Sequence, residues 1–90
     1  MRIDRFLYFI RLVKSRTLAQ SVIETGYVRL DGKRVEKSSE DVQAGSVIAL
    51  PLHDRVRVLR VLALPTRRGP AAEARTCYEE LNVDDSEPRA

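Results

Sequence analysis

SRTLAQSVIETGYVRLDGKRV, residues 15 to 35, decides the fold. Ser15 can cap a helix in which Leu18, Ala19, Val22 and Ile23 face inward while Thr17, Gln20, Ser21 and Glu24 face out. Gly26 is placed to end that helix through a left-handed backbone. Val28, Leu30 and Val35 then have strand character, and Asp31-Gly32 between them is a pair preferred in two-residue type I′ hairpin turns. A short helix running without a linker into a tight hairpin is the kernel of the domain.

Upstream, Asp4 can cap a first helix, with Ile3 and Tyr8 as a hydrophobic staple. Ile3, Phe6, Leu7 and Ile10 fall on one buried stripe, and Phe9 and Leu12, off that stripe, read as extra core on a second side, the alternative for Phe9 being a surface position with Arg2 and Arg5. The two helices meet at a tight corner. Downstream, residues 36–44 are polar and loop-like, and SVIAL and VRVLRVLAL have strand composition with Pro51, His53 and Asp54 between them. Arg55 and Arg57 alternate with Val56 and Val58, which predicts one wet face. After Pro65 and Gly69, the spacing of Ala71, Ala74, Tyr78 and Leu81 behind Pro70 predicts a third helix over 70–81. Residues 82–90 lack apolar periodicity and read as a frayed, disordered acidic tail. The expectation is one α+β domain in which two helices meeting at a corner, a hairpin and later strands are closed by a C-terminal helix. Residues 1–50 form its first part and residues 51–81 complete it.

The 90-residue chain carries a net charge of +3, but the charge is unevenly laid out: residues 1–78 hold 15 basic and 8 acidic side chains, and five carboxylates gather in residues 79–90. A basic body of this kind suits a polyanionic partner or a solvated surface. Cys77 has no second cysteine to pair with and His53 no partner cluster, so neither a disulfide nor a metal site is expected. No apolar run nears the roughly 18 residues that span a bilayer, and Asp4 and Arg11 interrupt the N-terminus where a signal peptide would be uncharged. A cytoplasmic protein is expected.

Arg11, Lys14 and Arg16 surround the cap Ser15 at a helix start, where cations are unfavourable by roughly 0.3–1 kcal/mol each and unpaired N–H groups welcome an anion. The arrangement makes sense with a phosphate present. Lys33, Arg34 and Lys37 form a second basic group on the hairpin. Two basic elements at fixed separation can grip two backbone tracks of a folded nucleic acid by shape and phosphate spacing, as a clamp for structured RNA.

These residues resemble a known family. RIDRFLYFIRLVKSRTLAQSVIETGYVRLDGKRVEKSS, with the spacing to Gly45, resembles the alpha-L RNA-binding motif, also called the S-4 domain. The resemblance implies a helix-corner-helix packed on a small, mostly antiparallel sheet, with RNA lying across the start of the second helix and the hairpin. It implies contacts from Arg2, Arg5, Arg11, Lys14, Ser15, Arg16, Gln20, Lys33, Arg34, Lys37 and Ser38. The segment VRVLRVLALPTRRGPAAEARTCYEEL is similar to the one that follows the motif in the fifteen-kilodalton heat-shock family of bacteria. That similarity implies a ribosome-associated stress protein that holds large-subunit ribosomal RNA and nascent-chain tRNA in rescue or recycling of stalled subunits, without a cofactor and as a monomer. Three positions depart from the pattern: Asp31 stands where asparagine is usual, Ser46 replaces an aspartate, and DDSEPRA stands where longer members carry a basic extension.

Three other classes compete. The motif often accompanies RNA-modifying enzymes, yet no nucleophile with its base and no glycine-rich cofactor loop is present, so no catalytic residue is expected. A DNA-binding helix-turn-helix would use Gln20 to read adenine, but Glu24 shares that face and the hairpin charge would be superfluous; DNA binding should be the weaker. A membrane role for FLYFIRLV conflicts with the need to bury its apolar stripe.

Overall fold

A computed structural model describes residues 1–81. Helix α1 spans Ile3–Phe9 and helix α2 Arg16–Glu24. Five strands follow, β1 (Arg29–Leu30), β2 (Lys33–Arg34), β3 (Val47–Leu52), β4 (Arg55–Val61) and β5 (Tyr78–Leu81), with a single-turn helix α3 (Ala71–Ala74) before the last. The strands form one antiparallel sheet in the order β2-β1-β3-β4-β5. The architecture is the α+β arrangement that the sequence predicts.

The stripe Ile3, Phe6, Leu7 and Ile10 is fully buried, and it meets Ala19 and Ile23 of α2 and Ile48, Leu50, Leu59 and Val61 of the sheet. Cys77 is buried beside this core as a free thiol. Asp31 and Gly32 both take positive φ (52° and 85°), as a type I′ turn requires. Asp31 also anchors the hairpin: its backbone N–H donates to Val47 O at 2.8 Å and its Oδ1 accepts from Val47 N at 2.9 Å.

Several expectations are corrected. Asp4 does not cap α1. Arg2 is the N-cap residue and makes no side-chain cap, while the first helical N–H groups, of Ile3 and Asp4, donate to the carbonyls of Glu40 and Ser38. With loop carbonyls serving those amides, the Asp4 carboxylate turns toward α2 instead. Leu18 is 42% exposed, because the face of α2 that meets α1 is centred on Ala19 and Ile23. On β4 the wet face is the reverse of the predicted one. Pairing of Ile48 with Leu59 places Arg57 on the core side of the sheet, and Val56 is 54% exposed. Pro51 lies within β3, and the turn to β4 is made by His53 and Asp54, both at positive φ.

The helix expected over 70–81 is present only as Ala71–Ala74; Tyr78–Leu81 is a strand on the edge of β4. The reason lies in β4. Arg57 and Arg60 project from opposite faces of the sheet, and the consecutive Glu79 and Glu80, which alternate across a strand, reach both: Arg60 Nη1 to Glu79 Oε2 at 2.8 Å, and Arg57 to both oxygens of Glu80 at 2.6 and 2.8 Å. A helix would put the two glutamates about 100° apart, away from one of the arginines. The acidic tail, 82–90, lies outside the described residues.

Candidate nucleic-acid interface

The predicted contact residues sort by the partner each has found. Arg2 clasps Asp4 through Nε (3.1 Å) and Nη2 (3.0 Å), Gln20 donates to Asp4 Oδ2 at 3.0 Å, and Arg16 Nη2 stands 3.6 Å from the same oxygen. The Asp4 side chain is fully buried. Burial opposes its ionisation, but the donors from Arg2 and Gln20 and the Arg2 charge outweigh this, and its pKa falls to about 2. One carboxylate thus shares two arginines, leaving a net single positive charge where the sequence places two. Arg16 Nε is buried with no hydrogen-bond partner.

This knot also fixes the loop after the hairpin. Because Asp4 N–H donates to Ser38 O, Lys37 and Ser38 are held at the start of α1, beside the group that Arg16 and Gln20 of α2 complete. Arg34 lies at the other end of α2, its Nη1 3.9 Å from where a side chain on Gly26 would begin. The basic side chains therefore run from the start of α2 to its end, about 13 Å for nine helical residues. Ser15 Oγ accepts from Leu18 N at 3.0 Å and is the cap that the sequence predicts.

Arg11 behaves differently from its neighbours in sequence. Its N–H donates to Tyr8 O and the N–H of Leu12 to Leu7 O, the paired bonds of a Schellman motif, and Arg11 itself holds φ 66°. That left-handed position normally belongs to glycine. Its Nε donates to Gly69 O at 2.5 Å. Arg68, which sequence reasoning missed, completes the lacing: Nε to Tyr8 O (3.0 Å), Nη2 to Val13 O (3.2 Å), and its guanidinium 4.5 Å over the Tyr8 ring. The only signal for it was the basic pair before Gly69, which reads as a breaker region. Among the described residues, Arg5, Lys14, Lys33, Arg34 and Lys37 form no ion pair, and all five are exposed. Asp31, two residues before Lys33 in the chain, is occupied by the Val47 amide of β3.

Among the described residues no three His, Cys, Asp or Glu side chains gather to hold a metal, and no helix is long and apolar enough to cross a membrane.

Residues 1–48 match the S4 domain. Heat shock protein 15 of Escherichia coli is 36% identical over 80 residues, covering 89% of this chain and 59% of that protein, so the chain spans about three fifths of that relative's length. The RQC P-site tRNA stabilizing factor of Bacillus subtilis is 33% identical over 87 residues, covering 94% of this chain and all of that protein. The trimeric structure of Vibrio cholerae heat shock protein 15 superposes with a TM-score of 0.87 at 29% identity, over 97% of this chain and 87% of that one. The expectation of a monomer gains no support from that trimer.

Proposed function

Because the chain belongs to the S4 domain family, we propose that it is a non-catalytic, cytoplasmic RNA-binding protein of the ribosome, holding structured large-subunit RNA and the tRNA of stalled subunits. The observation that carries this reading is the set of exposed cations, Lys14, Lys33, Arg34 and Lys37, that no described carboxylate neutralises, strung along α2 and the hairpin on a rigid frame. Charges left uncompensated at fixed spacing suit phosphates, which position an RNA without reading its sequence. The names of the two relatives, a stress protein and a factor that stabilises P-site tRNA, favour the ribosome as the place of action.

The DNA-reading alternative loses its base reader, since the Gln20 amide is committed to Asp4. The knot formed by Arg2, Asp4, Arg16 and Gln20 acts here as a positioning device that sets the two helices at the angle the RNA meets.

Binding of purified large-subunit ribosomal RNA, measured across a salt series, tests the proposal. Affinity should fall steeply with salt, and replacing Lys33 and Lys37 together by Ala should reduce the slope of log K against log salt by roughly 2. Failure to bind this RNA, or a slope untouched by the double replacement, overturns it.

A further inference from the structure

The corner joining α1 to α2 and the turn joining β3 to β4 enclose a cleft of about 450 Å³, a volume within the usual range of small-ligand sites. Leu12, Leu18 and Leu52 give it an apolar lining, with Lys14, His53 and Arg68 at its sides. Three properties separate it from the knot around Asp4.

Its charge is not cancelled. Arg11 and Arg68 are held by the carbonyls of Gly69, Tyr8 and Val13, which orient a guanidinium without neutralising it, and none of the lining residues is acidic. Its apolar lining is open: Leu18 is 42% exposed although its neighbours Ala19 and Ile23 are buried, and Leu12 and Leu52 are only partly covered. Finally, Arg11 occupies a left-handed backbone position where a non-glycine residue is disfavoured by roughly 1–2 kcal/mol. A cation stands there in spite of the backbone.

We propose that this cleft receives one unpaired nucleotide of the bound RNA, its base against Leu12, Leu18 and Leu52 and its phosphate toward Lys14, Arg11 and Arg68; the inference rests on the RNA-binding reading above. The ligand chemistry follows from the lining. Cations without acids select an anion, and an open apolar wall selects one with a flat apolar body. A base-paired stretch shows a protein mainly phosphate and sugar and would leave the leucines wet, whereas a splayed-out base can cover them and lend its phosphate to the rim. His53, a lining residue on the β3–β4 turn with φ 53°, can hydrogen-bond the base edge.

Two measurements on the full chain with purified large-subunit ribosomal RNA test this. In the first, a photoreactive benzoylphenylalanine replaces Leu18, with Lys33 replaced likewise as the control, and the attached nucleotides are mapped. The second compares salt series for the wild type, Leu18→Ser and Lys14→Ala. Position 18 is expected to attach to an unpaired nucleotide. Leu18→Ser should weaken binding three- to tenfold at every salt concentration without changing the slope, because no phosphate contact is lost, and Lys14→Ala should reduce the slope by about 1. Attachment from position 33 but only to paired nucleotides, or to none, from position 18, with Leu18→Ser binding as the wild type does, overturns the cleft and leaves the RNA reading standing. Absence of RNA binding by the wild type overturns both.

Discussion

Gln20 of α2 donates to Asp4 of α1 at 3.0 Å, and through this bond the two helices share a carboxylate that Arg2 and Arg16 also approach. Replacing Asp4 by Asn removes the charge both arginines face while keeping the shape. The expected loss, read from chemical denaturation at neutral pH, is about 2–3 kcal/mol, since a buried carboxylate held by charged donors contributes more than a surface pair.

The same group sets an acid limit. The pKa of Asp4 is about 2 in the folded chain against 3.8 for a free side chain, so its stabilisation is complete above about pH 4 and disappears as pH falls through about 2. A shift of this size corresponds to about 2 kcal/mol. Denaturation midpoints followed from pH 5 to pH 2 should fall over this window, and those of Asp4→Asn should fall less.

Strand β5 is held by side chains that acid releases. Glu80 has its pKa lowered by the hydrogen bond from Arg57, against a smaller opposing effect of burial, so the pair is intact above the usual glutamate range and weakens as Glu80 is protonated below it. Glu80→Gln should accelerate amide hydrogen exchange in residues 78–81 while leaving α1 unaffected, at a global cost of about 1 kcal/mol or less because the pair is partly in water.

Asp31 allows a test in which affinity and stability separate. Its Oδ1 accepts from Val47 N, a role the carbonyl of asparagine fills equally well, and asparagine also tolerates positive φ. Asp31→Asn should leave stability within about 0.5 kcal/mol and strengthen RNA binding at low salt by removing a negative charge from the turn of the basic hairpin. Asp31→Ala should lose about 1 kcal/mol.

Arg68 joins the end of α1 to the helix corner through two carbonyls and the Tyr8 ring. Arg68→Ala should lower the thermal midpoint by several degrees, equivalent to about 2 kcal/mol, and Arg68→Lys should recover less than half because an ammonium cannot span both carbonyls in one plane.

Local chemistry made the helix pair and the first hairpin legible in the sequence. Ser15, Gly26 and Asp31-Gly32 each demand a particular backbone, and the stripe from Ile3 to Ile10 has one periodicity. What stayed hidden depends on partners distant in the chain. Asp4 resembles a cap until the carbonyls of Ser38 and Glu40 take that task, and Tyr78–Leu81 keeps helical spacing until Arg57 and Arg60 offer two faces to bind. Likewise the cluster Arg11, Lys14 and Arg16 looks uniform in sequence. Folding divides it, giving Arg16 to a carboxylate and Arg11 to a carbonyl and leaving Lys14 to solvent.

The two borders of the sheet also bear on how copies of the chain meet. One ends in Lys33-Arg34 and is two residues long; the other presents Glu79 and Glu80, whose charges are already bound inward by Arg60 and Arg57. Among the described residues, the basic border of a second molecule therefore finds both carboxylates of that strand already paired, and two basic borders repel. A border only two residues long and doubly charged is a poor template for strand-by-strand growth into a fibre, so the cations proposed to face RNA also guard the sheet against its own copies.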